Sequence, residues 1–343
     1  MTDIHSLTLP ELEALALDLG WKPFRGRQVY KWLWQKRAAA FEEMTDLARD
    51  ARALLAARFR VFAPEPVSRL DDPDGTVKLS LRLEDNAIVE TVFIPDADRR
   101  TVCVSTQTGC ALGCVICRTG SLGPGRDLVW HEIAGQVLET GRRTGERITN
   151  VVFMGMGEPL LNYDNVTRAL VELNHDHGLN IGARKLTVST AGIPGRIREF
   201  ARFPLQAKLA VSLNGADDAT RSRLMPVNRR WPLAELIPAV REFTEVRGKR
   251  VTFEYVLVAG VNDRESDALA LAALLRGMPC KVNLIPFNAF EGCDLTAPDP
   301  AAVEAFRDLL LPRLPAVTVR RSRGRGICGA CGQLAGHRPP PTR

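Results

Sequence analysis

The 343 residues carry 46 Lys and Arg against 40 Asp and Glu, a formal net charge of +6, with 45% apolar and 25% charged side chains. That balance excludes an intrinsically disordered chain, and a core of this size needs no disulfides to hold it. No run approaches the roughly 20 apolar residues of a membrane helix, and Met1-Thr2-Asp3-Ile4-His5 lacks the basic stretch and apolar run of a signal peptide; the expectation is a cytoplasmic protein without membrane association.

Leu7 to Leu19 places leucines at helical spacing, with Thr8 or Pro10 suited to a helix start. Gly26 to Ala38 puts Val29, Trp32 and Leu33 on one side of a second helix. This helix lies in a basic run: Trp21 to Ala40 holds six Lys/Arg and no acid, and Leu309 to Arg343 holds seven Arg and no acid. Such stripes suit a polyanion or a solvated surface. Trp21, Phe24, Tyr30 and Trp34 sit among the first set of cations, where they either stack on bases or fill the core of a small helical domain.

Asp71 to Gly75 is a turn signal, followed by strands at Thr76–Leu83 and Ala87–Ile94 with Glu84-Asp85-Asn86 between them. From Thr101 the chain alternates. Strand-like runs at 101–105, 148–154, 185–189, 207–213, 251–258 and 281–285 are separated by helical stretches at 129–142, 165–174, 232–247 and 265–277. This rhythm predicts a parallel sheet with helical crossovers, and six units form an open, partial barrel or a doubly wound sheet. A last helix, 300–311, and a strand, 316–321, precede a Gly-, Pro- and Arg-rich stretch from Gly324 that reads as a tail or mobile loop.

The strongest chemical signal is Cys110-Ala-Leu-Gly-Cys114-Val-Ile-Cys117. Three thiolates on one tight loop hold three irons of a [4Fe–4S] cluster and leave the fourth iron open for a small molecule. Structural zinc requires a fourth ligand, and the next candidate, His131, is distant in sequence; plain buried cysteines are the remaining reading.

This spacing resembles the radical SAM superfamily, with Ile116 where an aromatic is usual and Gly155-Met-Gly157-Glu158-Pro159 similar to its S-adenosylmethionine (SAM) amine-binding loop. The stretches Cys103–Cys114, Val152–Asn162, Thr187–Pro194, Asn283–Asn288 and Ala330–Gly336 are similar, in order, to the RlmN-type dual-specificity RNA methyltransferases. The resemblance implies an α/β fold. A partial (β/α)6 barrel (98–312) is joined to a helical N-terminal RNA-binding domain (1–62), a β-hairpin linker (63–97) and a C-terminal strand and basic tail (313–343).

The resemblance also implies methylation of adenine C2 in 23S ribosomal RNA and transfer RNA. The cluster, two SAM per turnover and an electron donor such as flavodoxin or ferredoxin are implied with it, and the chain is read as a monomer. Cys331 would carry the methyl group, Cys103 would resolve the RNA–protein adduct through a transient disulfide, and Glu90 would accept the C2 proton. Cys110, Cys114 and Cys117 would hold the cluster. Gly157, Glu158, Ser189, Ser212, Leu213, Asn214 and Asn288 would hold SAM, Asn214 standing where relatives often have His. Cys328 forms a second C-x2-C pair with Cys331, and Cys280 and Cys293 read as incidental. The alternatives are a C8-directed antibiotic-resistance methyltransferase, a zinc-containing RNA-binding protein without activity, and a radical SAM enzyme with a small-molecule substrate.

Overall fold

The computed structural model describes residues 1–335; the end of the expected basic tail, 336–343, with Gly336 of the C-terminal motif, lies outside the described residues. The N-terminal unit packs α1 (Leu9–Asp18), α2 (Phe24–Trp34) and α3 (Arg49–Arg58) beside a short parallel pair, β1 (Thr2–Asp3) with β2 (Phe59–Arg60). Glu11 starts α1 by accepting from both the Thr8 backbone N–H (2.7 Å) and the Thr8 hydroxyl (2.6 Å).

Residues 63–97 form three antiparallel strands, β3 (Glu65–Asp71), β4 (Val77–Arg82) and β5 (Ile88–Asp96), where the sequence suggested a two-stranded linker. β3 escaped notice because it is a largely exposed, polar edge strand without alternation. β5 pairs antiparallel with β6 (Arg99–Cys103), so this meander continues the main sheet. The rest runs α4 (Arg118–Ser121), α5 (Trp130–Thr144), β7 (Asn150–Phe153), α6 (Tyr163–Asn174), β8 (Leu186–Thr190), α7 (Pro194–Arg202) and β9 (Lys208–Ser212). It then continues α8 (Asp218–Leu224), α9 (Leu233–Arg247), β10 (Val251–Leu257), α10 (Glu265–Leu274), β11 (Cys280–Pro286), α11 (Pro300–Leu310) and β12 (Val317–Val319).

The sheet order β12-β11-β10-β9-β8-β7-β6-β5-β4-β3 is strictly sequential, with every pair from β6 to β12 parallel. The expected open, partial barrel is therefore present: six parallel strands with helical crossovers, extended by β12 and not closed. Register decides what faces the concave side. Thr252, Glu254 and Val256 on β10 stand beside Lys281, Asn283 and Ile285 on β11. The alternate residues Phe253, Tyr255, Val282 and Leu284 are buried in the layer beneath the helices.

Two of the four N-terminal aromatics, Tyr30 and Trp34, are core residues, whereas Phe24 is exposed and Trp21 half-buried. Tyr30 and Trp34 are fully buried; Trp34 stacks on Trp130 of α5 at 5.9 Å and the Tyr30 hydroxyl donates to Glu172 of α6 at 2.7 Å. Among the described residues no helix is long and apolar enough to cross a membrane.

Candidate active site

The C-terminal ends of the parallel strands surround one cavity of about 1000 Å³, measured to its open mouth. The loop after β6 brings Cys110, Cys114 and Cys117 to it. That loop is held tightly: Cys110 N donates to Gly123 O (2.8 Å), Cys117 N to Cys114 O (3.1 Å) and Val115 N to Leu224 O (3.0 Å). Gly120 lies so close that a Cβ there would sit 2.8 Å from the Cys114 carbonyl oxygen. Burial pushes the Cys110 thiol up to about 12 and that of Cys114 up as well, so ionised sulfurs here need a cation to stabilise them.

Among the described residues no three His, Cys, Asp or Glu side chains converge on the position of a single metal ion. The three sulfurs instead line one wall of a common cavity. Thiolates holding separate corners of an iron–sulfur cube stand farther apart than the ligands of one ion, so this donor set fits a three-cysteine cluster site. His131 belongs elsewhere, beside Phe62 under the N-terminal unit.

The loop after β7 supplies Gly157 and Glu158. Gly157 has φ of +100°, and a Cβ would lie 2.6 Å from that of Gln107, so only glycine fits. Glu158 is buried, accepting from Leu160 N (3.0 Å) and Ala191 N (2.7 Å); burial raises its pKa and those N–H groups oppose the rise. Ser189 on β8 and Ser212 on β9 also line the cavity. Asn214 lines it too, but its amide is engaged, donating to the Met225 sulfur (3.1 Å) and accepting from Val256 N (2.8 Å). The Leu213 side chain is buried in the main core and does not line the cavity.

Residues 324–335 are docked, in contrast to the expected tail or mobile loop, because their backbone groups find partners on three sides. Gly324 N and Gly326 N donate to Asp74 (3.0 Å) and Asp72 (3.1 Å) in the β3–β4 turn. Arg118 N donates to Gly332 O (2.7 Å), and the Thr119 hydroxyl to Leu334 O (2.6 Å). Asn288 donates to Cys331 O (3.1 Å) and accepts from Arg325 (3.1 Å), so this expected SAM contact is tied to the docked segment. Cys331 thus reaches the same cavity as the three loop cysteines.

Cys103, at the end of β6, lines a smaller cavity that shares Cys117, Arg320 and Cys331 with the large one. Burial and the neighbouring Cys331 push its thiol up to about 12, while Arg320 pulls the other way. Glu90 lines neither cavity. It is buried between Lys78, whose ammonium lies 3.2 Å away, and Ala335 N, which donates to it at 2.9 Å. Lys78 also donates to Cys328 O (3.3 Å), so this ion pair grips both ends of the Cys331 loop. Cys328 is exposed and outside both cavities, and all eight cysteines are free.

Three site residues and one bracing arginine escaped sequence reasoning. Glu254 and Asn283 face the concave side and bond at 2.7 Å; alternation within β10 and β11 was the available signal. Arg320 lines both cavities, and nearby Cys331, Glu254 and Cys103 stabilise its charge. Arg221 is fully buried and ties strand tips together, donating to Leu213 O (3.1 Å), Ala191 O (2.5 Å) and Asn228 (2.7 Å). Burial lowers its pKa to about 10, which leaves it charged at neutral pH.

Residues 104–272 match the radical SAM superfamily, and residues 2–61 match the ribosomal RNA large subunit methyltransferase N-terminal domain. A dual-specificity RNA methyltransferase RlmN from Anaeromyxobacter dehalogenans is 49% identical, over 98% of this chain and 93% of its own length. The RlmN of Geobacter sulfurreducens is 45% identical, over 98% and 92%. The crystal structure of a radical SAM methyltransferase from Sphaerobacter thermophilus superposes with a TM-score of 0.95 at 43% identity, covering 98% of this chain and all of that one. With that likeness running through both the N-terminal unit and the cysteine-lined barrel, the chain belongs to the RlmN family of radical SAM RNA methyltransferases.

Proposed function

We propose that this protein methylates C2 of an adenine in 23S ribosomal RNA and in transfer RNA, with Cys331 as methyl carrier, Cys103 as resolving thiol and Glu90 as proton acceptor. The observation that carries this reading is the shared wall: Cys331 opens onto the cavity of Cys110, Cys114 and Cys117, and onto the smaller one of Cys103. Adenine C2 is electron-poor and has no lone pair with which to attack a methyl donor, so a polar displacement at that carbon fails. Cys110, Cys114 and Cys117 would hold a [4Fe–4S] cluster, which together with SAM would supply the one-electron chemistry that removes hydrogen from an unactivated C–H bond.

The chain's own residues do the rest. The Cys331 sulfur takes a methyl group as a thioether and presents it to the cavity. After that methyl loses a hydrogen atom, its carbon bonds to C2 and links RNA to protein. The C2 proton leaves to a base, for which Glu90 is the buried carboxylate beside the Cys331 loop, and the unpaired electron left on the adduct would pass to a one-electron acceptor, a role the cluster would supply when bound. The Cys103 sulfur attacks that of Cys331; the Cys331 sulfur–carbon bond breaks with its electron pair going to carbon, which takes up a proton to become the methyl group on C2, and a disulfide is left for later reduction. Gly157, Glu158, Ser189 and Ser212 are the proposed SAM contacts, with Asn214 and Asn288 acting through the loops they brace.

The test is Cys331→Ala. Methylation is lost while the protein, reconstituted anaerobically, still binds the iron and sulfide of one cluster. Cys103→Ala accumulates a covalent protein–RNA adduct. Digestion of the modified RNA yields 2-methyladenosine; 8-methyladenosine, or full activity without Cys331, overturns the reading.

A further inference from the structure

The opposite end of the barrel carries a second recess. At the N-terminal ends of β8 to β11 lies an open trough whose lining residues are separate from those of the cysteine-lined cavity. Arg184 and Lys185 precede β8, Lys208 opens β9, Lys249 and Arg250 precede β10, and Lys281 projects from β11. No Asp or Glu lines it, and none of these six makes a salt bridge among the described residues. A seventh cation, Arg247, is held over the rings of Phe200 and Phe243.

The N-terminal basic run is partly compensated: Arg27 pairs with Glu13 and Lys36 with Asp46, Arg25 and Arg37 donate to backbone carbonyls, and Lys22 and Lys31 make no salt bridge among the described residues. The trough cations make no salt bridge among the described residues and lie close together; burial lowers the ammonium of half-buried Lys281, Glu254 opposes the drop, and Arg250, Arg99 and Arg320 add to it. A stable fold gains nothing from such crowding, whereas an anionic ligand relieves it.

We propose that this trough is a second RNA-binding surface. It grips the phosphate backbone of substrate RNA remote from the adenine being modified, and this rests on the proposed RNA activity. Phosphate is the group such a set recognises: compact point charges, exposed lysines and no exposed aromatic ring on which a base could stack. Recognition here is therefore of backbone and not of sequence. An acidic electron-donor protein would meet the same cations, but its docking would affect methylation only with a protein reductant and would leave RNA binding unchanged.

The experiment neutralises exposed cations only, in Arg184→Gln, Lys208→Gln, Lys249→Gln and Arg250→Gln combined, in the full-length holoenzyme. Circular dichroism and the melting temperature check the fold. Two RNAs are compared: a hairpin holding the target adenine, and a long transcript in which that hairpin is flanked by its natural helices. The variant binds and methylates the hairpin like wild type. It binds the transcript at least tenfold more weakly, and its slope of log K against log salt falls by about 3, near 0.7–0.9 for each phosphate no longer neutralised. Unchanged affinity and slope on the transcript overturn the proposal. So does a loss seen only when flavodoxin replaces dithionite as reductant, which would make the trough the donor's dock. Binding is read separately from chemistry, so wild type that fails to methylate either RNA refutes the activity and leaves the trough's own readout standing.

Discussion

Lys78 and Glu90 form a buried ion pair, their side chains 9% and 4% exposed, between the β-meander and the Cys331 loop. Taking two charges out of water is expensive, and their attraction roughly repays it only while both are present. Lys78→Met strands a buried carboxylate and should cost about 3–5 kcal/mol of stability. Lys78→Met with Glu90→Leu should recover most of that loss in denaturant melts; a double variant as weak as the single one would show that the lysine's role is not charge compensation. Cys103 offers a kinetic counterpart. Burial raises its thiol well above the ordinary cysteine range, so the protonated form dominates at pH 7. If Cys103 resolves the adduct, RNA release in rapid-quench single turnovers should speed up tenfold per pH unit between 7 and 9. The sign follows from the raised pKa: deprotonation lies ahead at every pH in that window. A flat profile there would remove Cys103 from the step.

At the level of elements, the crossing of α1 and α2 depends on one residue. A Cβ at Gly26 would lie 2.4 Å from the Leu12 carbonyl oxygen, which is backbone and cannot swing aside. Gly26→Ala should therefore destabilise by about 1–3 kcal/mol although alanine favours helix. Further along α2, Tyr30→Phe removes the donor to Glu172, whose pKa burial has already raised above the ordinary glutamate value. The variant raises it further, so its cost is smaller at low pH, where the folded-state acid takes up a proton. The cost grows as pH climbs and the folded state must hold an unpaired charge. Chemical melts at pH 5 and pH 8 check the direction.

These elements also show what was legible in the sequence. The strands β6 to β11 announced themselves because both faces are covered, which leaves short apolar runs, and the loop cysteines because their spacing has few other uses. β3 was silent because an edge strand has no obligation to alternate. α8, capped by Asp217 at 2.8 Å from Thr220 N, was silent because only Arg221 and Leu224 are buried in it. The basic trough was invisible for a different reason: its cations come from four strand starts that are neighbours only once the sheet has formed.

On the scale of the whole molecule, the question is whether the N-terminal unit is an appendage or part of the same cooperative body. The interface answers in physical terms. Trp34 stacks on Trp130, Phe62 lies against Gly135 so closely that a Cβ would meet its ring at 2.2 Å, Tyr30 reaches Glu172, and Arg37 donates to Glu146 O at 3.1 Å. The aromatic packing is dry, with Tyr30 and Trp34 fully buried, and one hydrophobic core runs from Ile4 through Val317. Interfaces between independently moving domains are smaller and more polar than this. The protein should accordingly unfold in a single transition. Of its five tryptophans, Trp21, Trp32 and Trp34 report on the N-terminal unit, Trp130 on the seam and Trp231 on the barrel. Tryptophan fluorescence and far-ultraviolet circular dichroism should therefore trace one curve in denaturant. Trp130→Ala should lower that midpoint by the equivalent of about 3–5 kcal/mol and still leave one transition. Two resolved transitions, with the tryptophan signal changing first, would instead mean that the helical unit is hinged. The unit would then move against the barrel and not form a rigid wall beside it.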